Sequence, residues 1–226
     1  EVMLRVFVHT EINVRYLGIS SAPEIMAYSK SLDGFLYISA SHNPVGHNGI
    51  KFGLNDGGVI PGSEAKVLAE NFVAKCNASN AEEHAIEIQT VEDENKIKSI
   101  HRDSASYKID AVDAYRKFIR IVITGTSIAK EQDLIFSTMK NALTKNSLSL
   151  VCDMNGSSRI LSIDRTFFPS CGISFLPFND SPDEIKHAII PEPENLVWCA
   201  SYMNDLQKKG KKDALLGYMP DCDGDR

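Results

Sequence analysis

Residues 35–44 read FLYISASHNP and residues 214–226 read ALLGYMPDCDGDR. In both stretches an apolar run that is typical of a β-strand leads directly into a short polar loop. Open α/β sheets bind their ligands beyond the carboxyl ends of the strands, so each loop is a candidate site. One loop offers the serine hydroxyl of Ser41, and the other offers three alternating carboxylates, which are hard oxygen ligands suited to Mg²⁺. The combination indicates phosphoryl transfer.

The composition limits the classes of protein to consider. A chain of 226 residues can bury sizeable cores without disulfides, and its net charge of −6 argues against a nucleic-acid or membrane partner. The five cysteines form no C-x-x-C pair, and no apolar run reaches the length of a membrane span. We therefore expect reduced thiols, a cytoplasmic protein, and a small molecule or Mg²⁺ as its partner.

The first half of the chain predicts alternating strands and helices. Alternation over Leu4 to Val8 predicts a strand, Ser21-Ala22-Pro23 predicts a helix start, and residues 35–38 predict a second strand parallel to the first. Residues 50–60, with Asn55-Asp56-Gly57-Gly58 at their centre, predict a hairpin.

Two further predictions concern the segment after this hairpin. Apolar residues at helical spacing after Ser63, including Leu68 and Phe72, predict a helix with a core-facing stripe. Residues 77–108 are polar and of mixed charge, and they predict a surface loop inserted into the domain.

The second half repeats the α/β pattern. Helices are predicted over 113–123 and 133–143, with Gly125 between them as a domain joint. Strands follow over 148–152, 173–176 and 214–218, and helices are predicted after the turn at 155–156, from 181, and over 194–209. The predicted fold class is α/β, with two consecutive domains over 1–127 and 128–226 and mixed, mainly parallel sheets flanked by helices.

The aspartate loop does not match the common calcium loop. An EF-hand has glycine at its sixth position and glutamate at its twelfth, whereas Gly224 is the fourth residue counted from Asp221. A serine hydrolase is also disfavoured, because no G-x-S-x-G turn surrounds Ser41.

Three motifs together resemble a known family. The runs Ser39 to Pro44, Asn48 to Lys51 and Asp221 to Arg226 are similar to those of the α-D-phosphohexomutases, the phosphoglucomutases and phosphomannomutases. Residues 151–156 and 191–196, and Gly18 with Pro23, resemble further landmarks of the family in the expected order.

The resemblance implies roles for individual residues. Ser41 would be the phosphoserine, and it would share an Mg²⁺ ion with the three carboxylates of the second loop. Arg226 would contact the serine phosphate, and His42 and Lys51 match positions for proton transfer and phosphate handling. The implied metal ligands are Ser41, Asp221, Asp223 and Asp225. The implied substrate is a hexose phosphate, with a hexose 1,6-bisphosphate as intermediate and activator.

The chain also departs from the family pattern. Ser39 stands where threonine is usual, Cys222 stands where glycine is frequent, and residues 77–108 are longer than in most members. The family's third and fourth domains and its glycine-rich first segment have no counterpart here, so we expect an incomplete mutase that is inactive by itself. The alternative is a non-catalytic sugar-phosphate or metal-binding module that retains the fold. The choice between glucose and mannose and the oligomeric state stay open.

Overall fold

The structure is a computed structural model that describes residues 1–39, 41, 43, 46–90, 94–182 and 184–226. It confirms the α/β class. The helices are α1 Val2–His9, α2 Ala22–Ser29, α3 Gly62–Cys76, α4 Ala81–Gln89, α5 Glu94–Thr124, α6 Ala129–Asn146, α7 Asp164–Ser170 and α8 Val197–Lys208, with a short 3₁₀ helix at Ser158–Leu161. The strands are β1 Gly34–Ile38, β2 Ile50–Leu54, β3 Ser149–Asp153, β4 Ser174–Phe178 and β5 Ala214–Tyr218.

Two separate sheets organise these strands. β1 and β2 pair antiparallel, whereas β4, β3 and β5 form a parallel sheet in that order. The predicted hairpin turn is confirmed: the Ile60 amide donates to the Phe52 carbonyl at 2.9 Å, and Gly57 has a φ of +85° that glycine adopts readily. The three parallel strands present their carboxyl ends at one edge, from which the aspartate loop leaves β5.

The strand predicted over Leu4 to Val8 is wrong, because these residues lie in α1. Leu4 and Val8 are one helical turn apart and pack as a buried pair against Ile97 and Ile100 of α5. A short run of apolar residues is compatible with the two-residue period of a strand and with the 3.6-residue period of a helix. Here packing against α5 favours the helix. The parallel strand pair predicted in this region is therefore replaced by the antiparallel β1 and β2.

The surface loop predicted over 77–108 is also wrong. Its described residues form α4 and the first half of the 31-residue α5. Ile97 and Ile100 lie three residues apart and are buried, but charged neighbours hide this pair in the sequence. The helix predicted over 113–123 is confirmed as the second half of α5, which packs against α2.

The predicted helix α3 is present, but its core-facing stripe is wrong. No residue of α3 is buried, and Leu68 and Phe72 are 44% and 69% exposed. An apolar stripe shows which face of a helix would gain from burial. Whether that face is buried depends on another element packing against it. The helix predicted from residue 181 is not formed over residues 184–196, and the next helix begins at Val197.

The second half is built around the central strand β3. Val151 and Ala214 are fully buried beneath Cys199 of α8, while Cys152 packs with Met154 on the opposite face. The predicted strands and α8 are confirmed here. Each sheet lies within one of the predicted domains, whose boundaries at residues 127 and 128 stay a prediction. Among the described residues, no helix has the length and apolar character needed to cross a bilayer.

Candidate active site

The loops after β1 and β5 meet across the boundary between the two sheets. The Ser41 hydroxyl donates to Oδ2 of Asp221 at 3.3 Å, although 180 residues separate the two in sequence. The Ser39 hydroxyl donates to Oδ2 of Asp223 at 2.8 Å. The structure therefore brings the serine and aspartate loops into direct contact.

The aspartate loop curls around the carboxylate of its own first residue. Oδ1 of Asp221 accepts the amide hydrogens of Gly224, Asp225 and Arg226 at 2.9, 3.2 and 3.3 Å. Gly224 permits this turn because its φ is +73°, in the left-handed region. As a result one carboxylate oxygen from each of the three aspartates lies within 4.8 Å of the other two. Asp221 and Asp223 are buried, whereas Asp225 is exposed.

Backbone contacts from both halves of the chain hold this loop. The Ala22 amide, at the start of α2, donates to the Asp223 carbonyl at 2.8 Å. The Ser158 amide, at the start of the 3₁₀ helix, donates to the Cys222 carbonyl at 2.9 Å. The loop is thus fixed from the first half as well as from its own sheet.

The pKa values of the two inner carboxyl groups shift in opposite directions, because their neighbours differ. Desolvation, followed by the charges of Asp223 and Asp225, raises the pKa of Asp221 to about 6. Desolvation also acts to raise the pKa of Asp223, but hydrogen bonds from Lys51 and Ser39 outweigh it, so this pKa is lowered. The Lys51 ammonium lies 3.0 Å from Asp223 Oδ2. Of the three clustered carboxyl groups, Asp223 is paired with the Lys51 ammonium.

The residues present fit a small divalent cation. Oδ1 of Asp223 is buried and has no hydrogen-bond partner among the described residues. An orphaned carboxylate oxygen is costly in a protein interior unless a cation or water meets it. Three converging carboxylates supply the oxygen donors that Mg²⁺ prefers. Asp221, Asp223 and Asp225 would hold the ion.

The remaining predicted site residues are distributed as follows. Lys51 lies on β2 opposite Tyr37 and reaches Asp223. Arg226 is exposed and contributes its backbone amide to the turn around Asp221. His42 lies outside the described residues.

Sequence reasoning missed two groups of contacts. The sequence motif identifies Ser39 only as a replacement for threonine, yet its hydroxyl donates to Asp223. The signal for this role in the sequence is its position two residues before Ser41. The backbone amides of Ala22 and Ser158 carry no signal in the sequence, because any residue other than proline supplies such a donor.

A cleft of about 1280 Å³ extends from this site. Ser39, Ser41 and Cys222 line one part of it, and Ser158 and Ile185 line the wall from the second half. A cavity of this size is ample for a small organic ligand beside the carboxylates.

Comparison with known proteins bears on the fold and on the family of the chain. Residues 1–78 match the family model for phosphoglucomutase/phosphomannomutase, alpha/beta/alpha domain I. The whole fold is similar to the crystal structure of a Thermus thermophilus protein assigned as a phosphomannomutase, with a TM-score of 0.51 and 20% sequence identity. That alignment covers 92% of this chain but 39% of the other, so this chain spans well under half of that protein's length. No curated protein sequence matches the chain.

The structural match and the family-model match support different statements about the chain. The likeness to the Thermus thermophilus structure shows the fold of the chain. The match over residues 1–78, which includes the serine loop and Lys51, supports the phosphohexomutase family. The resemblance carried by the sequence motifs is confirmed in this respect.

Proposed function

We propose that this chain carries the phosphoserine and metal-binding part of a phosphohexomutase. In this proposal, a phosphoryl group on Ser41 is transferred to a hexose monophosphate, the resulting hexose 1,6-bisphosphate turns over, and its other phosphate returns to Ser41. The net change interconverts hexose 1-phosphate and hexose 6-phosphate. The family match over residues 1–78 supports the reaction class.

One observation carries the proposal. The Ser41 hydroxyl lies 3.3 Å from Asp221, beside a carboxylate cluster that includes the orphaned Asp223 Oδ1. A serine next to a lone acidic cluster would repel a phosphate, whereas the same cluster holding Mg²⁺ would attract one. Phosphoryl transfer depends chiefly on positioning and on neutralising the oxygens of the transferred group, and Mg²⁺ supplies that charge when bound.

The residues of the chain have separate tasks in this scheme. Lys51 binds Asp223 and favours its ionised form, and it is proposed to exchange a proton or to contact the phosphate. Ser39 orients Asp223 from the same loop that carries Ser41. Arg226 extends from the aspartate loop as a contact for the serine phosphate, and His42 is proposed as a second proton-transfer group beside Ser41.

Phosphorylation of the intact protein tests this function. After incubation with glucose 1,6-bisphosphate and Mg²⁺, intact mass should rise by one phosphoryl group, and tandem sequencing should place it on Ser41. Ser41→Ala should remove the label, and Ser137→Ala, at an exposed position on α6, should keep it. A phosphoryl group found only on other residues would contradict the proposal.

The second candidate is a non-catalytic sugar-phosphate or metal-binding module. Carboxylates that could hold a cation, beside a cleft large enough for a small ligand, would serve binding as well as catalysis. This candidate predicts binding of Mg²⁺ and hexose phosphates without any transfer of phosphate to Ser41. The labelling experiment therefore separates the two functions.

A further inference from the structure

Next to Gly224 of the aspartate loop lies a buried network that the proposed reaction does not use. Arg159 belongs to the 3₁₀ helix, and its side chain is only 14% exposed. Its Nε donates to Asp164 at 2.8 Å and its Nη2 makes a second bond to the same carboxylate. Its Nη1 donates to the Tyr115 hydroxyl at 2.8 Å. This set of Tyr115, Arg159 and Asp164 is called the arginine bridge below.

The arginine bridge joins the two halves of the chain. Tyr115 lies on α5, whereas Arg159 and Asp164 belong to the half that carries the parallel sheet. Asp164 is 1% exposed and binds Nε and Nη2 of the guanidinium, while Nη1 is bound to Tyr115, so the Arg159 side chain has little freedom. A cation this well fixed acts as a rigid surface for whatever packs on its aliphatic stem.

The stem of Arg159 packs directly against the turn of the aspartate loop. A Cβ atom added to Gly224 would lie 2.7 Å from both Cγ and Cδ of Arg159, and 3.2 Å from Cβ of Ser21. Gly224 is therefore enclosed by one side chain from each half of the chain. Next to this contact, the Ser158 amide holds the Cys222 carbonyl.

We propose that Arg159 is a positioning residue for the aspartate loop. Its stem forms the wall against which Gly224 turns, and its bonds to Asp164 and Tyr115 keep that wall in place. Arg159 acts through the loop backbone and does not touch the metal or the reacting atoms. The relevance of Arg159 to catalysis rests on the proposed function. Its effect on the geometry of the loop can be tested without measuring turnover.

A double-mutant cycle tests the contact between Arg159 and Gly224, with Mg²⁺ affinity measured by titration calorimetry. Gly224→Ala should weaken binding in the parent protein and weaken it less in an Arg159→Ala background, with a non-additivity of roughly threefold or more. Gly210→Ala is the matched control, because Gly210 also has a positive φ, of +92°, but nothing lies within 4 Å of its added Cβ. Additive effects of Gly224→Ala and Arg159→Ala would overturn the proposal.

Tyr115→Phe provides a second test that leaves the Arg159 and Asp164 pair intact. Without metal, the backbone amides of residues 221–226 should exchange hydrogen several-fold faster in this variant, while Tyr202→Phe, outside the network, should leave them unchanged. Equal exchange rates in Tyr115→Phe and Tyr202→Phe would overturn the proposal. If Arg159→Ala does not fold, this exchange comparison is the deciding test. If the parent protein binds no Mg²⁺, the proposed function fails, and the exchange comparison still decides whether Arg159 positions the loop.

Discussion

At the scale of single residues, the site depends on one aspartate whose two carboxylate oxygens have different surroundings. Oδ2 of Asp223 accepts hydrogen bonds from Ser39 and Lys51, and Oδ1 points into the interior without a partner among the described residues. Oδ2 is thus committed to protein contacts, whereas Oδ1 is available to a cation. This division is what the proposed metal site requires of a ligand.

Replacing Asp223 by asparagine should weaken Mg²⁺ binding strongly. The amide keeps the size of the side chain but removes one of three ligand charges and places an NH₂ group next to a cation. We expect a loss of affinity of at least about tenfold, the lower end of what outer-shell changes cost. Calorimetric titration with MgCl₂ measures it. Asp205→Asn, on the exposed face of α8, should bind like the parent, and equal affinity in the Asp223 variant would refute the assigned ligand.

The cysteines should differ sharply in reactivity. Burial raises the pKa of the Cys199 thiol to about 11 and the pKa of Cys152 further, so both lack thiolate at pH 8 and are closed to solvent. Cys76 is exposed on α3. Brief treatment of the native protein with iodoacetamide, followed by peptide mapping, should modify Cys76 and spare Cys152 and Cys199. Modification of all three at similar rates would show that the core of the parallel sheet opens readily.

At the scale of elements, the long helix α5 connects most of the first half. It buries Ile97 and Ile100 against α1, receives α2 along its middle, and supplies Tyr115 to the arginine bridge. A buried ion pair strengthens the contact with α2, because Lys108 binds the fully buried Glu24. α5 therefore determines where the helices around the serine loop lie.

The packing of α1 on α5 predicts unequal effects for two isoleucines of α5. Ile100→Ala removes a buried side chain and should lower the free energy of unfolding by about 2–5 kcal/mol. Ile109→Ala changes a side chain that is 63% exposed and should cost less than about 0.5 kcal/mol. Urea denaturation followed by circular dichroism measures both. Equal costs for the two variants would contradict the burial of Ile100 beneath α1.

At the scale of the whole molecule, the site exists only where the two halves meet. Ser41 and Lys51 come from the first half, and the aspartate loop comes from the end of the second. The Ala22 amide of the first half and the Ser158 amide of the second both donate to carbonyl oxygens of the loop. Any change in the angle between the halves would separate the serine from the carboxylates, so the interface itself is part of the site.

Residues 1–226 alone should not sustain mutase turnover, even when they bind Mg²⁺. In the proposed reaction, a bisphosphate intermediate would have to be held by its distal phosphate and by its sugar hydroxyls while it reorients, and that remote binding energy would position the reacting centre. Lys51 is already bound to Asp223, which leaves Arg226 as the principal candidate cation of the aspartate loop. A coupled assay with glucose 1-phosphate and with mannose 1-phosphate measures this. Robust turnover by residues 1–226 would show that the argument from missing contacts is wrong.

The sequence by itself determined the elements whose signals are local. β1, β2 and the strands of the parallel sheet were predicted from apolar runs, and the hairpin was predicted from Asn55 to Gly58, because each such signal is contained in a few adjacent residues. The two polar loops were also predicted from the sequence, because a serine hydroxyl or an aspartate carboxylate directly after a strand is a local signal. The roles assigned to these residues stay predictions.

Only the tertiary structure decided the features that depend on a distant partner. Leu4 and Val8 form a helix because Ile97 and Ile100 offer them a surface. Phe72 is exposed because none of the residues that the structure describes covers it in the same way. The contact of Ser41 with Asp221, and the packing of Arg159 on Gly224, likewise join residues far apart along the chain. Short-range periodicity shows which face of a segment is apolar. Which element packs against that face depends on the packing free energy of the whole fold, and this cannot be read from a local pattern.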